Sequence, residues 1–222
     1  DFDPQGNATH GIGAHKVGFD KTVYDILMRD ENVEDVKVTL QMPPLDVLPS
    51  TIDLSGADVD MAQYETGREQ LLKRKLEAVR DQYDYIIIDC PPALGLLNTN
   101  ALTAADSVMI PVQCEYFALE GLTQLLSTIR LVQKLWNPRL SIEGVLLTMF
   151  DVRTKLSVEV QQEVRKYFKE KVYHCFIPRN VRLSEAPSRE QSIFEYDTRS
   201  EGARAYAQLV KEVVTQNERI KR

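Results

Sequence analysis

A single carboxylate stands directly after a run of apolar residues. Residues 86–88 are three isoleucines, and Asp89 follows them. Such a run is typical of a strand covered on both faces, which places the next side chain at the end of a sheet. In enzymes that transfer phosphate, a carboxylate at this place holds Mg²⁺, because a hard cation prefers oxygen ligands. Alone the pattern is weak, since many strands end in an aspartate that only starts a turn.

Two further acids open the sequence. Asp1 and Asp3 alternate within the segment DFDPQGN at residues 1–7, where proline and glycine favour an exit from a strand into a loop. We expect one of the two to face the same site as Asp89. A carboxylate there can orient or deprotonate an attacking water. The alternative is an acidic cluster that solvent keeps mobile.

The elements that position these acids alternate along the chain. Apolar runs predict strands at 45–49, 85–88, 108–112, 142–147 and 172–177. Helical spacing predicts helices at 22–28, 57–80, 117–135, 156–170 and 200–214. We therefore expect an α/β fold with a doubly wound, mostly parallel sheet and helices on both faces. Ligands of such sheets bind beyond the carboxyl ends of the strands, here residues 1–7, 89–92 and 178 onward.

Composition excludes several other classes of protein. The 222 residues are 43% hydrophobic, which suits one globular domain over residues 1–222. The three cysteines are odd in number and lack C-x-x-C spacing, which disfavours a disulfide framework or a zinc site. We find no run as long as a membrane span and no leader, so we expect a cytosolic protein.

The charge is unevenly distributed around a net value of −6. Acids outnumber bases over residues 1–150, and the balance reverses over residues 151–222. We interpret the C-terminal part as a basic face for a polyanion, with Arg182 and Arg204 as the preferred contacts. The alternative is a solvated helix face with interspersed acids.

Three motifs in order resemble one family. They are DFDPQGNAT at residues 1–9, YDYIIIDCPP at 83–92 and IPRNVRLSEAPS at 177–188, with shorter matches at 111–113, 118–122 and 196–200. Together they resemble the ParA/Soj branch of the ParA–MinD ATPases over nearly the whole chain. The resemblance implies a P-loop NTPase-like fold and a chromosome or plasmid partitioning ATPase.

The resemblance also implies roles for individual residues. Asp3 would position the water that attacks the γ-phosphate, and Asp89 would anchor Mg²⁺ through water. Pro178, Arg179 and Asn180 would lie against the adenine of ATP or ADP.

The implied partners are a second copy of the chain, non-specific DNA and a ParB-type protein that stimulates hydrolysis. The place of action would be the nucleoid in the cytoplasm. The last eight residues contain one apolar side chain, too little to hold a membrane helix, which favours the DNA-partition branch over MinD-type relatives.

One departure from the family is large. Its phosphate loop, K-G-G-x-G-K-T, is absent, and no glycine of the chain is followed by lysine. We expect an N-terminally truncated member that lacks the first strand and the phosphate loop, leaves strand edges unpaired and does not hydrolyse ATP by itself. The alternatives are a P-loop-less, non-catalytic dimerisation module and a phosphoacceptor receiver-like domain.

Overall fold

Two compact units make up the protein. The computed structural model describes residues 1–41, 44–115 and 118–220. The first unit comprises Asp1–Asp106 and Thr128–Leu140, and the second comprises Ser107–Ser127 and the chain from Ser141 onward. The expectation of one domain over residues 1–222 stays a prediction.

The first unit is mainly helical and contains one hairpin. Its elements are α1 (Asn7–Gly11), α2 (Val23–Met28), α3 (Val33–Val36), β1 (Val38–Gln41), β2 (Pro44–Val47), α4 (Ala57–Met61), α5 (Leu71–Glu77) and α6 (Leu96–Ala104). Strands β1 and β2 pair antiparallel. Phe2, Leu54 and Met61 are almost fully buried in a core shared by α2, α4 and α6. This core fixes the start of the chain against the helices around it.

The second unit is built on a parallel sheet flanked by helices. Its elements are β3 (Ser107–Gln113), β4 (Ser141–Phe150), α8 (Lys155–Phe168), β5 (Val172–Pro178), α9 (Val181–Ser188), α10 (Ile193–Tyr196) and α11 (Glu201–Ile220). The strand order is β3-β4-β5, with both pairs parallel. Helix α7 (Ala118–Leu135) contributes residues to both units. Leu209 of α11 packs on Tyr173 and Ile177 of β5.

Strand β5 is irregular, and a glutamate compensates for it. Its pairing with β4 shifts between Val145 and Leu147. Glu212 of α11 accepts hydrogen bonds from the backbone N–H groups of His174 and Cys175, both at 2.9 Å. The two amides are thereby satisfied by a side chain, which ties α11 to the sheet.

Most of the predicted elements are confirmed. The strands at 108–112, 142–147 and 172–177 are β3, β4 and β5, and the helices at 22–28, 117–135, 156–170 and 200–214 are α2, α7, α8 and α11. The strand predicted at 45–49 is β2. Helix α2 begins with a capping box formed by Thr22 and Asp25.

One helix prediction is wrong. Residues 57–80 do not form a single helix, because α4 ends at Met61 and α5 begins at Leu71. Gly67 lies between them with a φ of 75°, a left-handed conformation that a continuous helix cannot contain.

One strand prediction is also wrong. Residues 85–88 run without strand pairing, and Ile87 is 86% exposed. A strand needs a neighbour for its N–H and C=O groups. Among the described residues of the first unit, the only strands are β1 and β2, which pair with each other. An apolar run alone therefore did not suffice to form a strand.

No helix in the described part of the chain is long and apolar enough to cross a membrane.

Candidate functional site

The loop that carries Asp3 is closed by short hydrogen bonds. Gly6 N donates to Asp3 O at 2.9 Å, and Gln5 N donates to the Asp3 carboxylate at 2.9 Å. The hydroxyl of Ser50 donates to Asp3 O at 2.8 Å. Gly6 has a φ of 63°, and a Cβ there would lie 2.8 Å from Ser50 O. Glycine at this position therefore lets the Asp3 loop approach Ser50 closely.

The neighbouring acid has a structural task. The Asp1 carboxylate accepts bonds from both the N–H and the hydroxyl of Thr9, each at 2.7 Å. Thr9 in turn accepts a bond from Ser50 N at 2.9 Å. Asp1 thus fixes the start of α1, which leaves Asp3 as the member of the acid pair that is better placed for a ligand.

The structure brings Asp3 and Asp89 into one electrostatic environment. Phe2 N donates to Asp89 O at 2.8 Å, which ties the two chain segments together. Loss of hydration raises the pKa of Asp89, the Asp1 amino group opposes this shift, and the charge of Asp3 raises the pKa further. Carboxylates that repel each other are relieved by a divalent cation bound between or beside them. The donor set therefore fits Mg²⁺.

The loop after Asp89 is held by a residue that the sequence did not single out. The Asn98 side chain, in a residue only 7% exposed, donates to Pro91 O at 2.8 Å and also to Ala93 O. Cys90 lies exposed in the same loop, and its thiol is not part of the hydrogen bonds from Asn98. Asn98 lies near the start of a helix and is buried, and buried amides of this kind need hydrogen-bond partners. The burial is visible only in the folded chain.

The predicted adenine-contact residues lie in the second unit. Pro178 is the last residue of β5, and Asn180 caps α9 by accepting a bond from Arg182 N at 2.9 Å. The Arg179 guanidinium lies 3.0 Å from the Glu115 carboxylate at the carboxyl end of β3. All three residues stand at the carboxyl end of a parallel sheet, where ligands of α/β folds bind.

A second ion pair lies just beyond β4. Both carboxylate oxygens of Asp151 accept bonds from Arg153, at 2.9 and 2.7 Å. Hydrogen bonds from Arg153 hold the pKa of Asp151 at about 2, and the charge of Arg179 contributes in the same direction.

The two predicted DNA contacts differ in their surroundings. Arg182 pairs with Glu185 at 2.9 Å and with Asp197 at 3.6 Å. Arg204 donates to Arg199 O, at 3.2 and 2.6 Å, and forms no ion pair with a described carboxylate. Both are exposed. The charge of Arg204 is therefore more available to a phosphate than that of Arg182.

Comparisons with known proteins give the class first. A solved structure from Mycobacterium smegmatis, named as a cobyrinic acid a,c-diamide synthase with bound ADP and magnesium, has a TM-score of 0.82 and 34% identity over 100% of this chain and 82% of its own. The same protein has been solved with an ATP analogue and magnesium. This likeness places the chain among the P-loop NTPase-like α/β proteins.

The sequence relatives narrow this class to a family. The family described as AAA domain matches residues 1–142. The sporulation initiation inhibitor protein Soj of Bacillus subtilis is 60% identical over 213 residues, which cover 96% of this chain and 84% of Soj. The chromosome-partitioning ATPase Soj of Treponema pallidum is 49% identical over 98% of this chain and 84% of its own length. The chain belongs to the ParA/Soj family of partition ATPases.

Proposed function

We propose that the complete protein is an ATP hydrolase that partitions chromosomes or plasmids, whereas this chain, which has no phosphate loop, does not hydrolyse ATP by itself. The observation that supports this proposal is the backbone bond from Phe2 to Asp89, which ties the Asp3 segment to Asp89 in a chain 60% identical to Soj. The charge of Asp3 also raises the pKa of Asp89, so the two acids can serve one metal–nucleotide complex.

Each acid has a distinct task in this proposal. Asp89 holds Mg²⁺ through water, and Asp3 orients the water that attacks the terminal phosphate. Mg²⁺, when bound, neutralises charge on the phosphate oxygens. The bonds to Asp3 O from Gly6 and Ser50 keep the loop in place, so that the carboxylate is presented without further reorganisation. Pro178, Arg179 and Asn180 contact the adenine.

The partners follow from the family and from the charge of the C-terminal part. We infer an ATP-dependent homodimer that binds DNA without sequence preference through arginines such as Arg182 and Arg204, at the nucleoid in the cytoplasm. Exposed arginines that contact only phosphates give binding that depends on salt and not on base sequence. A ParB-type protein stimulates hydrolysis.

The test separates nucleotide binding from hydrolysis. In the complete protein, Asp3→Asn should retain Mg-ATP binding in calorimetry and lose about 100-fold in turnover, because only the water is misplaced. Asp89→Asn should weaken Mg²⁺-dependent ATP binding itself. Asp84→Asn, an exposed acid five positions earlier, is the matched control and should behave as wild type.

Two outcomes would contradict the proposal. Turnover that survives both site substitutions would place the chemistry elsewhere. Wild-type protein that binds Mg-ATP without ever hydrolysing it, alone or with a ParB-type protein and DNA, would favour the non-catalytic dimerisation module.

A further inference from the structure

Helix α6, which begins seven residues after Asp89, receives its cap from another helix. Its N-cap residue is Gly95, which has no side chain to accept a hydrogen bond. Instead the carboxylate of Asp58, on α4, accepts a bond from Leu97 N at 3.2 Å. This contact satisfies one of the free N–H groups of the first turn, and the negative charge suits the positive end of the helix.

Gly95 makes this contact possible. A Cβ on Gly95 would lie 2.6 Å from one Asp58 carboxylate oxygen and 3.5 Å from its Cγ. The backbone of Gly95 is extended, at φ −104° and ψ −164°, so alanine is compatible with the local conformation. A methyl group here would displace only the end of the Asp58 side chain.

The loop after Asp89 is thus fixed at two places. Asn98 holds the carbonyls of Pro91 and Ala93, and Asp58 holds the point at which the loop enters α6. Phe2 N holds Asp89 itself through its backbone oxygen. The direction of the Asp89 carboxylate therefore depends on contacts with residues outside its own loop.

Residues 50–58 start beside the Asp3 loop and end at Asp58. Ser50, 3% exposed, donates to Asp3 O, and the chain then runs through a 3₁₀ helix at Ile52–Gly56 into α4. Leu54 and Ala57 along this path are fully buried. Residues 50–58 therefore bond to a loop at each end, Ser50 to the Asp3 loop and Asp58 to the start of α6.

We propose that Asp58 is a positioning residue, and that residues 50–58 form a strap that couples the Asp3 loop to the loop after Asp89. The inference rests on the proposed function for its consequence in catalysis, but the strap itself exists without nucleotide. Nothing in this role requires Asp58 to contact the substrate.

The first test uses hydrogen exchange on the folded, nucleotide-free protein. Gly95→Ala and Asp58→Ala should each raise the exchange rate of the Leu97 amide about tenfold, because a bond to a charged acceptor is lost. Both should also speed the exchange of amides in residues 5–9. Asp53→Ala is the matched control, since Asp53 is an exposed acid of the same strap whose recorded bond is to Thr51.

A double-mutant cycle tests the contact itself. If Gly95→Ala acts by displacing the Asp58 carboxylate, adding Asp58→Ala should change Leu97 exchange no further. Asp58→Asn keeps an acceptor oxygen in a side chain of the same shape. This variant should therefore keep most of the exchange protection of the Leu97 amide. Additive effects of the two substitutions would overturn the contact, and unchanged exchange in residues 5–9 would overturn the coupling.

The second test asks whether the strap acts on the site. In protein that binds Mg-ATP, Gly95→Ala should raise the Mg²⁺ concentration needed for half-maximal turnover several-fold and leave metal-free ATP affinity unchanged. If Gly95→Ala needed the same Mg²⁺ concentration as Asp53→Ala, the positioning role of Asp58 would be overturned. If wild-type protein bound no Mg-ATP, the proposed function would fail, while the exchange results would still decide the strap.

Discussion

Two buried hydroxyls illustrate how single atoms affect the stability of this protein. Among the described residues, Thr103 Oγ1 and Tyr173 Oη are buried without a hydrogen-bond partner. Burial raises the pKa of Tyr173, and nearby Glu143 adds to that shift, so the phenol stays neutral. An unpaired buried polar atom has lost its water without a replacement bond.

We expect Tyr173→Phe to be neutral or stabilising, by up to about 1 kcal/mol, because the unpaired hydroxyl is removed and the ring is kept. Tyr24→Phe is the control, since Tyr24 donates to Asp60 at 2.8 Å and should lose about 1 kcal/mol. Urea unfolding of both variants measures the difference. A loss for Tyr173→Phe as large as for Tyr24→Phe would show that its hydroxyl has a partner.

The ion pair beyond β4 predicts a pH effect. Arg153 lowers the pKa of Asp151 from 3.8 to about 2, so the folded protein favours the charged carboxylate. Its stabilising effect is present above pH 4 and is lost as the pH falls through 2. Asp151→Asn should therefore flatten the fall of the free energy of unfolding between about pH 4 and 2.

Arg153→Gln should flatten the fall of the free energy of unfolding over the same pH range, because it removes the group that lowers the pKa of Asp151. The effect should shrink in 1 M salt, since the Arg153 side chain is 85% exposed. This assignment would be contradicted if the free energy of unfolding fell equally at acid pH in wild type and in both variants.

At the scale of elements, two glycines with similar backbone angles make a controlled comparison. Gly6 has a φ of 63° and meets Ser50 O, whereas Gly18 has a φ of 80° and nothing within 4 Å. Gly18→Ala should cost about 1 kcal/mol from backbone strain alone. Gly6→Ala should cost at least about 1 kcal/mol more, because a backbone oxygen cannot move aside as a side chain can.

The functional readout for this pair is Mg-ATP binding. Gly6→Ala should weaken it by opening the Asp3 loop, and Gly18→Ala should leave it unchanged. Equal melting temperatures for the two variants would mean that Gly6 has no special packing role.

Sequence patterns predicted the helices that bury one face and expose the other. Helices α7, α8 and α11 were predicted because one face of each is apolar and the other polar. Helix α6 was missed, because Asn98, Asn100 and Thr103 are buried along with its leucines, so no polar stripe marks it. The break between α4 and α5 depended on one glycine inside a helical pattern, and such a glycine is often tolerated.

The candidate site, like the elements, was only partly predictable from the sequence. Asp3 and Asp89 belong to motifs that resemble a known family, and the expectation that both face one site stays a prediction. Asp58 was not predictable, because it lies 39 positions from Leu97 and acts through a contact that only the folded chain creates. The roles of Pro178, Arg179, Asn180, Arg182 and Arg204 stay predictions.

At the scale of the whole molecule, DNA binding should follow the uneven charge. Arg204→Ala should lower the slope of log affinity against log salt by about 1, as expected for one phosphate contact. Arg182→Ala should change the slope less, because two carboxylates already compensate Arg182. Arg139→Ala, an exposed arginine outside residues 151–222, is the control. Equal slopes for Arg204→Ala and Arg139→Ala, from titrations at several salt concentrations, would remove Arg204 from the contact surface.

The exposed apolar run at residues 85–88 has a consequence for solubility. Ile87 is 86% exposed in a segment without strand pairing, and such a segment is a template to which other chains can add as in fibril growth. Concentrated stocks should therefore turn cloudy well below the melting temperature. A lysine in place of Ile87 should keep them clear in light-scattering assays, because charge on an edge blocks such stacking.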